Sequence, residues 1–358
     1  MSCPARRTGG GGGGGKAMSS TPTINSHAFF AQFHGHPIDD LHKAYYHFRD
    51  GSDKSNGGEI FWLAGDSSLD NKYWFADSGS ACNGWEELLR PATARKDVAF
   101  ALNKEILARG KQMRVINCSV EATSVGDRAC GRLQEQDQMI RDHIAPQDTL
   151  CVSIGGNDIA LKPNLCTILN MILLMQCLPQ WCIERTACGC DVPVDDCFCG
   201  FACGCFSNLL ACPPGAGYFL HLFKTRIQAY VEHLVSKTKP KRVLVAMIYY
   251  PDELAGGSWA DSSLSALGYN SNPAKLQALI RLMFERATRE IKIEGTEVVA
   301  VPLFAVLDGK TTSDYCSRVE PSAKGGVKMA KLLLDAADDD GGRRAMDRAL
   351  GLTGAMER

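Results

Sequence analysis

Five short runs of apolar residues, at 60–64, 113–118, 150–154, 242–248 and 297–301, show little polar alternation. Strands covered by helices on both faces read this way, so each run is predicted as an inner strand of a parallel sheet. Between the runs the apolar spacing turns helical, over 85–89, 96–109, 132–143, 223–237 and 274–293. A leading helix is predicted over 37–49, where Ile38, Leu41, Tyr45 and Phe48 share one face and Gly51 follows. Strands alternating with helices build right-handed βαβ units. The expected fold is α/β, a three-layer α/β/α sandwich around a five-stranded parallel sheet of the flavodoxin-like kind.

Two stretches break the pattern. Residues 1–23, with a run of glycines from Gly9, read as a disordered tail, and 24–358 read as one domain. That domain carries an insertion at about 165–214, where ten of the 16 cysteines fall. The insertion opens on an apolar stretch at 165–178. It is shorter than the roughly 20 residues that a membrane span needs, and suits an interfacial helix in peripheral membrane contact or a lid over an apolar site.

At 358 residues and 45% hydrophobic content the chain can bury a sizeable core. Lys+Arg 39 against Asp+Glu 40 leaves a net charge of -1, which excludes the basic footprint of a nucleic-acid partner. The first residues lack the apolar centre of a secretory signal, so a cytoplasmic location is expected, and there clustered cysteines bind metal more often than they pair. Cys188, Cys190, Cys197, Cys199, Cys203 and Cys205 form three close pairs and are expected to hold a structural zinc ion. Disulfide stapling in an exported chain, and palmitoylation beside the apolar helix, stay open as alternatives.

The chemistry sits at two strand ends. The first run breaks into Gly65-Asp66-Ser67-Ser68-Leu69-Asp70-Asn71, the third into Gly155-Gly156-Asn157-Asp158. In open α/β sheets ligands bind outside the carboxyl ends of the strands, so the two turns should share a crevice. A serine there needs exposure, a base, and donors aimed at the developing oxyanion. Ser67 is expected at the start of a helix, where free N–H groups favour negative charge. A hard-cation site made of Asp66, Asp70, Asp158 and Glu320 is a weaker reading, since the spacing of ligands is wrong for it.

These two blocks resemble those of the GDSL or SGNH hydrolase family. The resemblance covers roughly 60–334 outside the insertion and implies the same sandwich fold. It implies a nucleophilic Ser67, an oxyanion donor in the Asn157 side chain, and a second donor in a backbone N–H of the block at 117–127. Ala122 aligns best with the family's glycine, with Gly126 as a substitute. The family's last block, Asp-x-x-His, is altered: Glu320 stands at the histidine position, Ser317 at that of the aspartate, and the last histidine of the chain is His233. Glutamate, with a pKa near 4.3 against about 6.5 for histidine, is the poorer base unless burial or a nearby carboxylate such as Asp314 or Asp66 raises it.

The function expected is an SGNH-like esterase or lipase, acting on a small-molecule or acyl-lipid ester through an acyl-Ser67, with Glu320 and Asp314 managing the proton and no cofactor in catalysis. The alternatives are a binding or scaffolding protein that keeps the fold without the chemistry, and a metal-binding or membrane-docking insertion carried on that fold.

Overall fold

The computed structural model describes residues 22–50, 58–185, 213–338 and 341–352. The six cysteines expected to bind zinc, and all but the last residues of the N-terminal tail, lie outside them. Strands β1 (Glu59–Gly65), β2 (Met113–Asn117), β3 (Thr149–Ser153), β4 (Arg242–Met247) and β5 (Glu297–Pro302) pair in parallel in the order β2-β1-β3-β4-β5. This is the flavodoxin-like order. Side chains alternate across the sheet: Ile60, Trp62 and Ala64 enter one core, Phe61 and Leu63 the other, and all five are fully buried. Burial on both faces is why the strands read as unbroken apolar runs.

The main helices are α1 (Ile38–Asp50), α2 (Val98–Ala108), α3 (Glu135–His143), α4 (Leu165–Ile172), α5 (Ile227–Leu234), α6 (Pro273–Arg286) and α7 (Ala323–Ala336). Helices α2 and α7 pack on each other over one face of the sheet; α1, α3, α5 and α6 contribute to the core on the other. Side-chain caps start several of them. Asp97 accepts the Phe100 N–H at 2.8 Å, Asn164 that of Thr167 at 2.8 Å and Ser322 that of Gly325 at 3.2 Å.

The helix predicted at 274–293 stops at Arg286, because Ile291 and Ile293 reach the same core from an extended segment and so prolong the apolar pattern. The helix predicted at 223–237 starts earlier: Ala216–Leu220 and a π-helical stretch, His221–Arg226, lead into α5. Ser26–Ala31 is a helix that the apolar pattern does not announce, capped by Asn25. On α4 the side chains of Cys166, Thr167, Asn170 and Met171 are buried, whereas Leu165, Ile168, Leu169 and Ile172 are exposed. No helix among the described residues is long and apolar enough to cross a membrane.

Candidate active site

The parallel register brings the strand ends level: Gly65 at the end of β1 pairs with Ser153 at the end of β3, and Ser153 with Ala246 of β4. Gly65 is required here. Its φ is +129°, and a Cβ would stand 1.8 Å from the Ser153 carbonyl oxygen. The chain then turns, and Ser67 emerges partly exposed between buried Asp66 and buried Ser68. The helix expected to begin at Ser67 does not form. There is one turn, closed by Leu69 N–H and Asp70 N–H to the Asp66 carbonyl, followed by a 3-10 turn at Lys72–Trp74. Asp66 Oδ1 accepts from Ser68 N–H and Ser68 Oγ, at 3.0 and 2.8 Å, so it orders the turn locally.

Three turns are laced together around this point. Asp70 Oδ2 accepts the N–H groups of Gly35 and Glu121, while Asp70 Oδ1 pairs with the fully buried Lys72 at 2.5 Å. Arg128 donates to the Gly65 carbonyl and to Thr123 Oγ1, and pairs with Asp137. Asn157 Nδ2 donates to the Thr123 carbonyl at 2.8 Å. A primary amide has two N–H donors, and among the described residues only one of Asn157's is used. The other is left for a ligand.

Asp158 does not cap its own helix. Its two oxygens accept the N–H groups of Val125 and Gly126 at 2.8 and 3.0 Å, which removes Gly126 as an alternative oxyanion donor. Ala122, the aligned position, has φ +59°. The turn demands the left-handed region, which alanine adopts under strain. Its N–H finds no acceptor among the described residues.

Ser67, Asn157 and Glu320 all line one cavity of about 100 Å³. The rest of its wall is almost wholly apolar, including Phe219, Phe223, Leu264, Leu279, Ile280 and Met283. None of the eight histidines lines it. Nor does any residue of 165–178. The apolar wall comes instead from the end of β4, the segment at 216–223, the loop after β4 and α6. From the segment at 249–272, Trp259, Leu264 and Leu267 line the cavity, while Tyr269 is buried.

Glu320 is 1% exposed, and among the described residues its Oε2 has no hydrogen-bond partner. Burial pushes its carboxyl well above the usual range, and the charges of Glu121, Asp66 and Asp70 push the same way, with the Trp259 indole alongside favouring the charged form. Glu121 is a functional candidate that the motif comparison passed over. It sits next to Ala122, its Oε2 also finds no partner among the described residues, and burial with the nearby Asp70 and Asp66 raises it to about 8. Burial likewise raises Asp66 to about 6.

Asp314, expected to raise Glu320 and manage the proton with it, is engaged elsewhere. It pairs with Lys328 of α7 at 2.5 Å and does not line the cavity. Ser317, at the family's aspartate position, meets Ser258 instead. The Glu320 turn is held by its backbone: Asn71 Nδ2 donates to the Pro321 carbonyl, Tyr249 Oη to the Val319 carbonyl, and Cys316 N–H to the Glu320 carbonyl. The cation reading fails on the same geometry, because Asp70 and Asp158 are occupied as described and no cluster able to hold a metal ion occurs among the described residues.

No family model matches this sequence, and no curated protein matches it. Solved structures do resemble it in fold. An alpha/beta hydrolase enzyme from the metagenome of Lake Arreo is 15% identical, with 82% of this chain and 96% of that one covered and a TM-score of 0.38. An acetyl xylan esterase variant from Geobacillus stearothermophilus is 14% identical over 82% and 95%, with a TM-score of 0.36. A phospholipase A1 from Streptomyces albidoflavus is 12% identical over 78% and 100%, with a TM-score of 0.40. Likenesses of this strength carry no residue roles.

Proposed function

We propose that this chain is an SGNH-like hydrolase of carboxylic esters with an apolar acyl group, working through an acyl-enzyme on Ser67. The observation that carries the reading is the junction of Ser67, Asn157 and Glu320 with an otherwise apolar cavity. Pockets of this kind bind an apolar body and orient it with a few polar groups.

In this reading Ser67 Oγ attacks the ester carbonyl and its proton passes to the Glu320 carboxylate. The free N–H of Asn157 and the backbone N–H of Ala122 receive the oxyanion. Collapse of the tetrahedral intermediate expels the alcohol, which takes the proton back from Glu320. A water then repeats the sequence on the acyl-enzyme and releases the acid. Glu320 is a base only when ionised, and its pKa is raised, so the rate should climb from acid towards alkaline pH. Asp66 and Glu121 replace Asp314 as the groups that set that pKa.

The same burial supports a rival, an apolar-ligand binding protein on this sandwich, because a carboxyl kept neutral cannot accept a proton. Labelling with a fluorophosphonate probe across pH 5 to 9 separates them. Labelling that increases with pH and is lost in Ser67→Ala and Glu320→Gln supports the hydrolase; a folded protein that never labels supports the rival.

A further inference from the structure

Arg318 lies two residues before Glu320, with φ +57° and a side chain only 1% exposed. Its guanidinium is directed wholly at one stretch of chain. Nε donates to the Asp252 carbonyl at 3.1 Å, Nη1 to Asp261 Oδ1 at 2.7 Å and Nη2 to Asn270 Oδ1 at 2.6 Å. The group also lies over the Tyr269 ring, 5.7 Å from its centroid. The backbone closes the same junction: Asp252 N–H donates to the Arg318 carbonyl at 2.8 Å, and Ser258 Oγ to the Ser317 carbonyl at 3.1 Å. Between Asp252 and Asn270 the chain supplies Trp259, Leu264 and Leu267 to the cavity.

We propose that Arg318 is a positioning residue that latches the segment 252–270 onto the turn carrying Glu320, so that one side chain sets both the apolar wall of the cavity and its register with the polar end. Arginine is needed for this. The acceptors at Asp252, Asp261 and Asn270 diverge as the planar fork does, and lysine offers a single point of charge on a flexible stem. Among the described residues Asp261 is the one carboxylate the fork reaches, so Asp261→Asn removes the counter-charge of a buried guanidinium while an amide oxygen still offers an acceptor there. Releasing the latch should loosen the wall against long acyl chains before it touches the chemistry at Ser67.

The kinetic arm of the test rests on the hydrolase reading; a second arm does not. p-Nitrophenyl acetate and octanoate are compared on the wild type, Asp261→Asn and Arg318→Lys, with Asn270→Ala as the mild alternative should either fail to fold. The expected result is a KM for the octanoate ester raised roughly tenfold, with its kcat and the acetate kinetics little changed. In parallel, acrylamide quenching of Trp259, read as the difference from the Trp259→Phe protein, should increase in the same variants. Equal losses for both esters, or unchanged quenching, would overturn the proposal. If the wild type cleaves neither ester, the hydrolase reading fails by itself. The latch is then decided by quenching and by binding of octanoate, which it requires to weaken in the variants and which equal affinity would sink.

Discussion

The side-chain amide of Asn157 donates to the Thr123 carbonyl at 2.8 Å, which ties the turn after β3 to the turn after β2 and aims the remaining amide hydrogen. Asn157→Ala should therefore lower kcat by roughly 10² to 10³, the usual cost of one oxyanion donor, with a much smaller change in KM. Steady-state kinetics on a short ester test this. A loss confined to KM would mean that Asn157 binds the ground state and does not serve the transition state.

Ala122 holds φ +59° without being glycine. The left-handed region costs a residue with a Cβ about 1 to 2 kcal/mol, while glycine loses about 0.5 to 1 kcal/mol through extra freedom in the unfolded chain. Ala122→Gly should thus stabilise the fold by a few tenths to about 1 kcal/mol, seen as a higher urea midpoint at unchanged slope. A lower midpoint would show that the Ala122 methyl packs well enough to outweigh the strain.

Glu121 and Asp66 both have carboxyls raised by burial, to about 8 and about 6. From about pH 4 upward the unfolded chain has released these protons and the folded chain still holds them, so stability falls as pH rises towards the raised values. Thermal unfolding should show a lower Tm at pH 8 than at pH 5. Glu121→Gln keeps the shape and removes the titration, and should recover on the order of 1 to 3 kcal/mol at pH 8 and little at pH 5. An equal gain at both pH values would place the effect in packing.

The sheet was legible because its strands are buried on both faces: Ile60 to Ala64 and Leu150 to Val152 have no solvent side to interrupt them with polar residues. Ser67 and Asn157 stood out as polar groups just past such strands and Glu320 through the resemblance of its block to a family motif, and the three line one cavity. Ala122's strain was not, since the sign of φ is set by how Asp70 and Asp158 pull the backbone on either side of it. The partner of Asp314 was not legible either. It is Lys328, one helical turn into α7, and that pairing depends on how α7 docks. The cavity wall was misplaced onto 165–178 because that stretch is the most continuously apolar. Its inner side chains pack against the segment at 216–220, whereas part of the cavity wall comes from α6, whose apolar positions at Leu276, Leu279, Ile280 and Met283 look like any core-facing helix.

That ordinary helix face gives the sharpest test of what enters the cavity. Leu279 is 2% exposed and lines the apolar end, well away in sequence from Ser67, Asn157 and Glu320. Leu279→Trp adds bulk to space that a ligand would need, and overpacking of this sort costs the fold about 1 to 3 kcal/mol unless the ring can enter the void. If the cavity takes the acyl chain, the ring occupies that void, stability is nearly kept, and hydrolysis of an octanoyl ester falls by a factor of roughly 10 to 200 per displaced methylene while an acetyl ester is spared. If both esters are cleaved as before, the acyl chain lies elsewhere and the cavity is only imperfect packing.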